Sequence, residues 1–212
     1  MSKGARVGLS VVGVLTAPFV LAILTGTQLL ILLRDELRYN CGFYQGGGSE
    51  LGSWVCADGI GYLMPGAFVF GCLGLLALVA AAKAAHLAER PHVRRRVLTL
   101  LALAPLALLV LTTIGVRPQA SEPGVDLWAQ HMAVATWLVA ASAVAIVAAA
   151  AAPRAVMVPF VLVALALLTA TTIAQDGTLY GTLPAALLLA WAWWADHRSH
   201  RQRSQLTVGS AA

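Results

Sequence analysis

The chain has 212 residues, of which 59% are hydrophobic and 11% charged, with a mean hydropathy of +0.81. Soluble domains carry about 25% charged residues, so this chain lacks the charge to coat a water-exposed surface of its size. A lipid-facing surface needs no such coat. The net charge of +5 does not point to nucleic acid. The basic residues stand in short runs beside apolar segments, where topology signals belong.

In chain order, the basic start MSKGAR precedes an uncharged run over 7–33. That run exceeds the roughly 7–15 residues of a signal-peptide core and predicts a retained first helix, with Pro18 inside it. A polar loop follows over 34–59. Its Gly46-Gly47-Gly48-Ser49 centre is unsuited to a helix, because glycine loses the most freedom on ordering. Residues 60–85 predict a second helix rich in glycine (Gly61, Gly66, Gly71, Gly74). Small residues in such a helix let a neighbour come close.

A basic loop is expected over 86–96, with Arg94, Arg95 and Arg96 as candidate contacts for lipid headgroups. The third helix is expected over 97–116, a turn-rich loop over 117–126, and an alanine-rich fourth helix over 127–152. Pro153 and Arg154 turn the chain into a fifth helix over 155–174. Gln175-Asp176-Gly177 then leads into a sixth over 178–195, whose strictly apolar part is short. The last residues, 197–212, predict a basic and polar cytoplasmic tail without regular structure.

The fold class read from this pattern is all-α: a polytopic membrane protein, a six-helix transmembrane bundle over 1–196 with short loops. Charge sets its orientation. With the N-terminus inside and six spans, 11 basic residues lie inside and 3 outside, while 7 of the 9 acids lie outside. An even span number therefore satisfies the positive-inside rule with both termini cytoplasmic in the cell membrane. Five spans would bring Arg198, Arg201 and Arg203 outside and dilute the bias. The arginine-rich, alanine-rich composition resembles the coding of a GC-rich bacterial genome.

This orientation puts Cys41 and Cys56 on the oxidising side, where they predict a disulfide closing the outer loop. Cys72, inside the second helix, is expected to pack. Trp191, Trp193 and Trp194, before the basic tail, suit the headgroup level.

No charged residue falls near the middle of a predicted span, which argues against a proton-coupled path. The five histidines are His86, His92, His131, His197 and His200. Only His131 falls on the outer side, so a bis-histidine haem is disfavoured. The chain has no C-x-x-C, H-E-x-x-H, G-x-S-x-G or phosphate-loop motif. No cofactor or metal is predicted.

The candidate outer cluster is Asp58, Glu122, Asp126, His131 and Asp176, with Glu50 in the loop. One histidine among carboxylates is a set that suits a divalent metal or acid–base work. A solvated acidic rim gives the same pattern. Thr-Thr-Ile recurs at 112–114 and 171–173, a hint of two related hairpins. The expected role is that of a non-enzymatic membrane-complex subunit or scaffold, embedded in the bilayer, whose loop 34–59 meets a membrane or envelope protein. The rival is a small membrane enzyme or permease built on the acidic rim.

Overall fold

The computed structural model describes residues 3–44, 53–117, 121–122 and 125–209, and within them the side chains of 16–43, 54–117, 126–153 and 156–197. The chain is mostly helical, in the order α1 (Lys3–Ile31), β1 (Cys41–Tyr44), β2 (Ser53–Cys56), α2 (Leu63–His86), α3 (Pro91–Leu101), α4 (Leu103–Val116), β3 (Ser121–Glu122), β4 (Val125–Asp126), α5 (Leu127–Ala151), α6 (Arg154–Ala174) and α7 (Leu179–Gly209). The glycine run 46–49 and Glu50 lie outside the described residues.

Five stretches are long and apolar enough to cross a membrane: Thr16–Glu36, Gly59–His86, Pro91–Val116, Leu127–Ala151 and Val156–Ala174. All five show many exposed apolar side chains, among them Phe19, Ile23, Met64, Leu111 and Trp137. On a water-facing surface such a density would be costly. Facing lipid, it is what a spanning helix requires.

The last helix, α7, which follows the five stretches (α3 and α4 forming one of them), does not reach that apolarity. Thr178 just before it, and Tyr180, Gly181, Thr182 and Pro184 within it, dilute its first turns. Its position explains how it tolerates them. α7 packs against α1, α3, α4 and α6, and Tyr180, Thr182, Ala185, Leu188, Leu189 and Ala192 are all buried. Where a helix is buried against other helices it needs complementary packing rather than a lipid-soluble surface, and the exposed positions of α7 include the apolar Leu187, Trp193 and Trp194. Gly181 shows how close the packing is: an added Cβ there would lie 2.8 Å from the Leu109 side chain and 3.0 Å from the Pro105 carbonyl oxygen.

Three boundaries differ from expectation. The basic stretch expected as loop is the first two turns of α3, because Pro91 occupies the first helical position, where its fixed φ suits the helix and its missing N–H costs nothing. The helix then breaks at Ala102. Pro105 has no N–H for the Leu101 carbonyl four residues back, which accounts for the interruption. Finally, the backbone of α7 runs on to Gly209 in place of an irregular tail. Residues 197–208 contain neither glycine nor proline, and a helix nucleated by burial propagates cheaply through arginine, glutamine and leucine.

The two Thr-Thr-Ile segments are alike in local geometry. Thr112 and Thr113 donate to the carbonyls of Leu108 and Leu109, and Thr171 and Thr172 donate to those of Leu167 and Leu168. Back-bonding of this kind gives each hydroxyl an acceptor within its own helix.

Candidate functional site: the hairpin end of the bundle

One end of the bundle gathers the β1–β2 hairpin, the α4–α5 connection and the α6–α7 turn. The sequence builds the hairpin in steps. α1 runs into a π-helical turn over Leu32–Glu36, in which Leu32 and Leu33 are buried. Arg38 and Asn40 then adopt positive φ values of 52° and 59°, and this reverses the chain into β1. Asparagine takes that conformation readily, whereas arginine does so at a cost.

β1 and β2 pair antiparallel, with Cys41 opposite Cys56 and Phe43 opposite Trp54. The two cysteines form a disulfide at the base of the hairpin. Ala57 N–H donates to the Asn40 carbonyl at 3.1 Å just beyond it, extending the clamp. Phe43 and Trp54 lie on the same face in edge-to-face contact, with centroids 5.3 Å apart. Phe43 and Val55 remain exposed.

Tyr62 anchors the hairpin to α2. Its hydroxyl donates to the Tyr39 carbonyl at 2.9 Å, and its ring meets Tyr39 edge-on. Gly61 is required beside it, since a Cβ there would lie 2.8 Å from the Asn40 side-chain nitrogen.

A second polar contact lies deeper. The Gln175 side-chain amide donates to the Glu36 carboxylate. Gln175 is buried and Glu36 half-buried. The contact ties the end of α1 to the α6–α7 turn. From there Thr178 donates to the Gln175 carbonyl at 2.7 Å, Thr182 donates to the Thr178 carbonyl at 3.3 Å, and the Thr172 and Thr182 hydroxyls lie 2.8 Å apart. A polar seam thus enters the bundle from this end, with the Glu36 carboxylate at its mouth and hydroxyls and an amide behind it.

The five residues of the expected outer cluster are placed as follows. Asp126 is the N-cap of α5: one carboxylate oxygen accepts from Ala129 N–H and the other from Arg117, both at 2.9 Å. Arg117 also lies over the Trp128 ring, 4.7 Å from its centroid. The Ala129 N–H, and then Arg117, hold the Asp126 carboxyl below its ordinary pKa. Asp58 is exposed at the start of a 3-10 turn, Asp176 is exposed at the start of another, and His131 is half-buried in α5. Glu122 lies in β3, and its side chain is outside the described set. Among the described residues, no three of His, Cys, Asp and Glu come together in a way that suits a metal ion.

At the opposite end, Arg94 donates to the Ala195 carbonyl of α7 at 3.1 Å. Arg95 is buried and donates to the Ala152 carbonyl at the C-terminus of α5 at 3.3 Å. A cation at a helix C-terminus is favourably placed against the helix dipole. Arg96 is exposed. Of the three headgroup candidates, two are therefore engaged in joining helix ends and one faces outward.

Sequence reasoning singled out neither Glu36, Gln175 nor Tyr62. The available signal was Gln175 itself, an amide at the end of a long apolar run. The chain matches no family profile, no curated protein and no solved structure.

Proposed function

We infer that this chain is an integral protein of the bacterial cell membrane with six helices and both termini cytoplasmic. It works as a non-enzymatic subunit or scaffold, and its clamped outer hairpin contacts a membrane or envelope partner. The orientation rests on the 11-to-3 division of basic residues. The span number rests on the same division, together with the burial of the polar first turns of α7 against other helices, which relieves them of the need for a lipid-like surface.

The observation that carries the functional reading is the Phe43–Trp54 pair fixed above the Cys41–Cys56 disulfide. Rigid aromatic surface loses little conformational entropy on binding, and aromatic side chains dominate protein contacts. A disulfide at the hairpin base reduces that cost further.

Photo-crosslinking from Phe43 and Val55, on the full chain in native membranes, tests the reading. A discrete adduct that Trp54→Ala abolishes is expected. Absence of any adduct, combined with loss of function on alanine substitution of Asp58, Asp126, His131 or Asp176 in a folded chain, would replace the scaffold by an enzyme or permease. Labelling of a cysteine placed in the tail from outside intact cells would overturn the six-span orientation.

A further inference from the structure

We propose that the groove between α1 and α2 binds a phospholipid, with one acyl chain along the groove and the phosphate at Arg34 and Arg38. The groove encloses about 720 Å³ and is lined by apolar side chains of both helices, including Pro18, Phe19 and Phe70, with Tyr62 at its hairpin end. The Tyr62 hydroxyl is already bonded to Tyr39, so its ring closes the apolar channel without offering a free donor.

The glycines separate two kinds of helix contact. Gly74 meets Pro18 at 3.2 Å and Gly26 meets Phe70 at 4.0 Å, where α1 and α2 approach each other. A Cβ at Gly66 or Gly71 would meet nothing within 4 Å. These two glycines forgo about 1 kcal/mol each of helix propensity and gain no close contact within the chain. Five residues apart, they are turned by about 140° around α2. They do not form the straight seam, repeating every fourth residue, that a second helix uses for close approach. Their floor is curved, which suits a flexible hydrocarbon chain better than a rigid helix.

The charges at the mouth supply the headgroup side. The Arg34 carbonyl lies 3.7 Å from the Cys41 sulfur, which is itself 3.9 Å from the Tyr62 hydroxyl, so Arg34 stands beside the hairpin end of the groove. Its nearest acid is Asp35, 4.0 Å away, and both side chains are more than half exposed, a pairing too weak to satisfy it. Arg38 is half-buried, and among the described residues its side chain has neither hydrogen bond nor ion pair. Glu36 is turned to Gln175. Arg38 precedes Tyr39, whose carbonyl holds the Tyr62 hydroxyl, so two cations stand beside the hairpin end of an apolar channel, a match to the phosphate and chain of a phospholipid. Asp35, and Asp58 at the start of the turn leading to Tyr62, would face the ammonium of a zwitterionic headgroup.

The test is the phospholipid that stays with the full chain through detergent purification, counted by native mass spectrometry. Gly66→Leu with Gly71→Leu puts bulk into the groove at two positions where an added Cβ meets nothing within 4 Å. Gly115→Leu adds the same bulk to an open, exposed position on α4. Arg34→Gln with Arg38→Gln removes the cations and leaves the groove intact. Retained lipid is expected to fall at least about tenfold in the groove variant, the scale on which one methylene matters in an apolar pocket. It should also fall in the arginine variant and stay unchanged in Gly115→Leu. Undiminished lipid in the groove variant overturns the proposal. Undiminished lipid in the arginine variant alone overturns the headgroup assignment. A dimer that the groove variant dissociates while lipid is retained assigns the groove to a second copy instead.

Discussion

Gln175 donates its side-chain amide to Glu36 across 139 residues of sequence. This one contact joins the first helix to the turn before the last. A hydrogen bond to a charged group contributes about 1.5–3 kcal/mol. Gln175→Leu should therefore lower the thermal midpoint in detergent, while Gln175→Glu should do worse by setting two carboxylates together. A Gln175→Leu protein as stable as the parent would show that the contact is idle.

The disulfide gives a second prediction. Cys41 and Cys56 are separated by 15 positions, and closing a loop of that length stabilises by about 3 kcal/mol in the chain-entropy model. Cys41→Ser or Cys56→Ser should abolish the mobility shift between reducing and non-reducing gels. It should also expose the hairpin to protease at the 41–56 segment, with the helical core intact. Free labelling of both thiols in untreated membranes would contradict the bond.

The Asp126 cap yields a pH dependence whose sign is fixed. Its carboxyl is held below the ordinary value by the Ala129 N–H and Arg117. Its contribution is therefore complete above the unfolded pKa of about 3.9 and is lost as pH falls through the lower folded value. Because Arg117 also covers Trp128, Trp128 fluorescence should change on acidification below about pH 4. Asp126→Asn should remove that transition. Persistence of the same transition in the variant would assign it to another group.

Gly181 tests the close contact of α4 with α7. Gly181→Ala places a methyl against Leu109 and the Pro105 carbonyl, and overpacking of this kind costs about 1–3 kcal/mol. Gly115→Ala, on the open face of α4, should be neutral or slightly stabilising, since alanine favours helix more than glycine does. Equal stabilities for the two variants would refute the tight seam.

Much of this architecture is legible in the sequence because lipid imposes a local rule. Each of the five long apolar stretches announces itself within its own residues, and the paired cysteines announce the clamp. The limits are equally physical. α7 reads as marginal because hydropathy measures fitness for lipid, whereas Thr182 and Tyr180 are surrounded by protein. The start of α3 reads as loop because Arg94–Arg96 resemble a topology signal, and Pro91 is as compatible with a helix start as with a turn. The Glu36–Gln175 contact depends on two residues that only the folded bundle brings together. Asp58, Asp126 and Asp176 each stand at the start of a helical element. Asp126 is engaged locally in capping α5, a role that its position just before the apolar run already suggests.

The packing of α7 bears on biogenesis. Synthesis delivers α1, α3, α4 and α6 before the helix that packs against all four of them. Until α7 arrives, the faces that will receive Leu188, Leu189 and Tyr180 have only lipid against them, and Gln175 has no completed turn to hold it against Glu36. A chain interrupted before Leu179 would carry all five strongly apolar spans yet leave the surfaces that bury Tyr180, Leu188 and Leu189 uncovered, and faster turnover of such a chain in cells is the expected outcome.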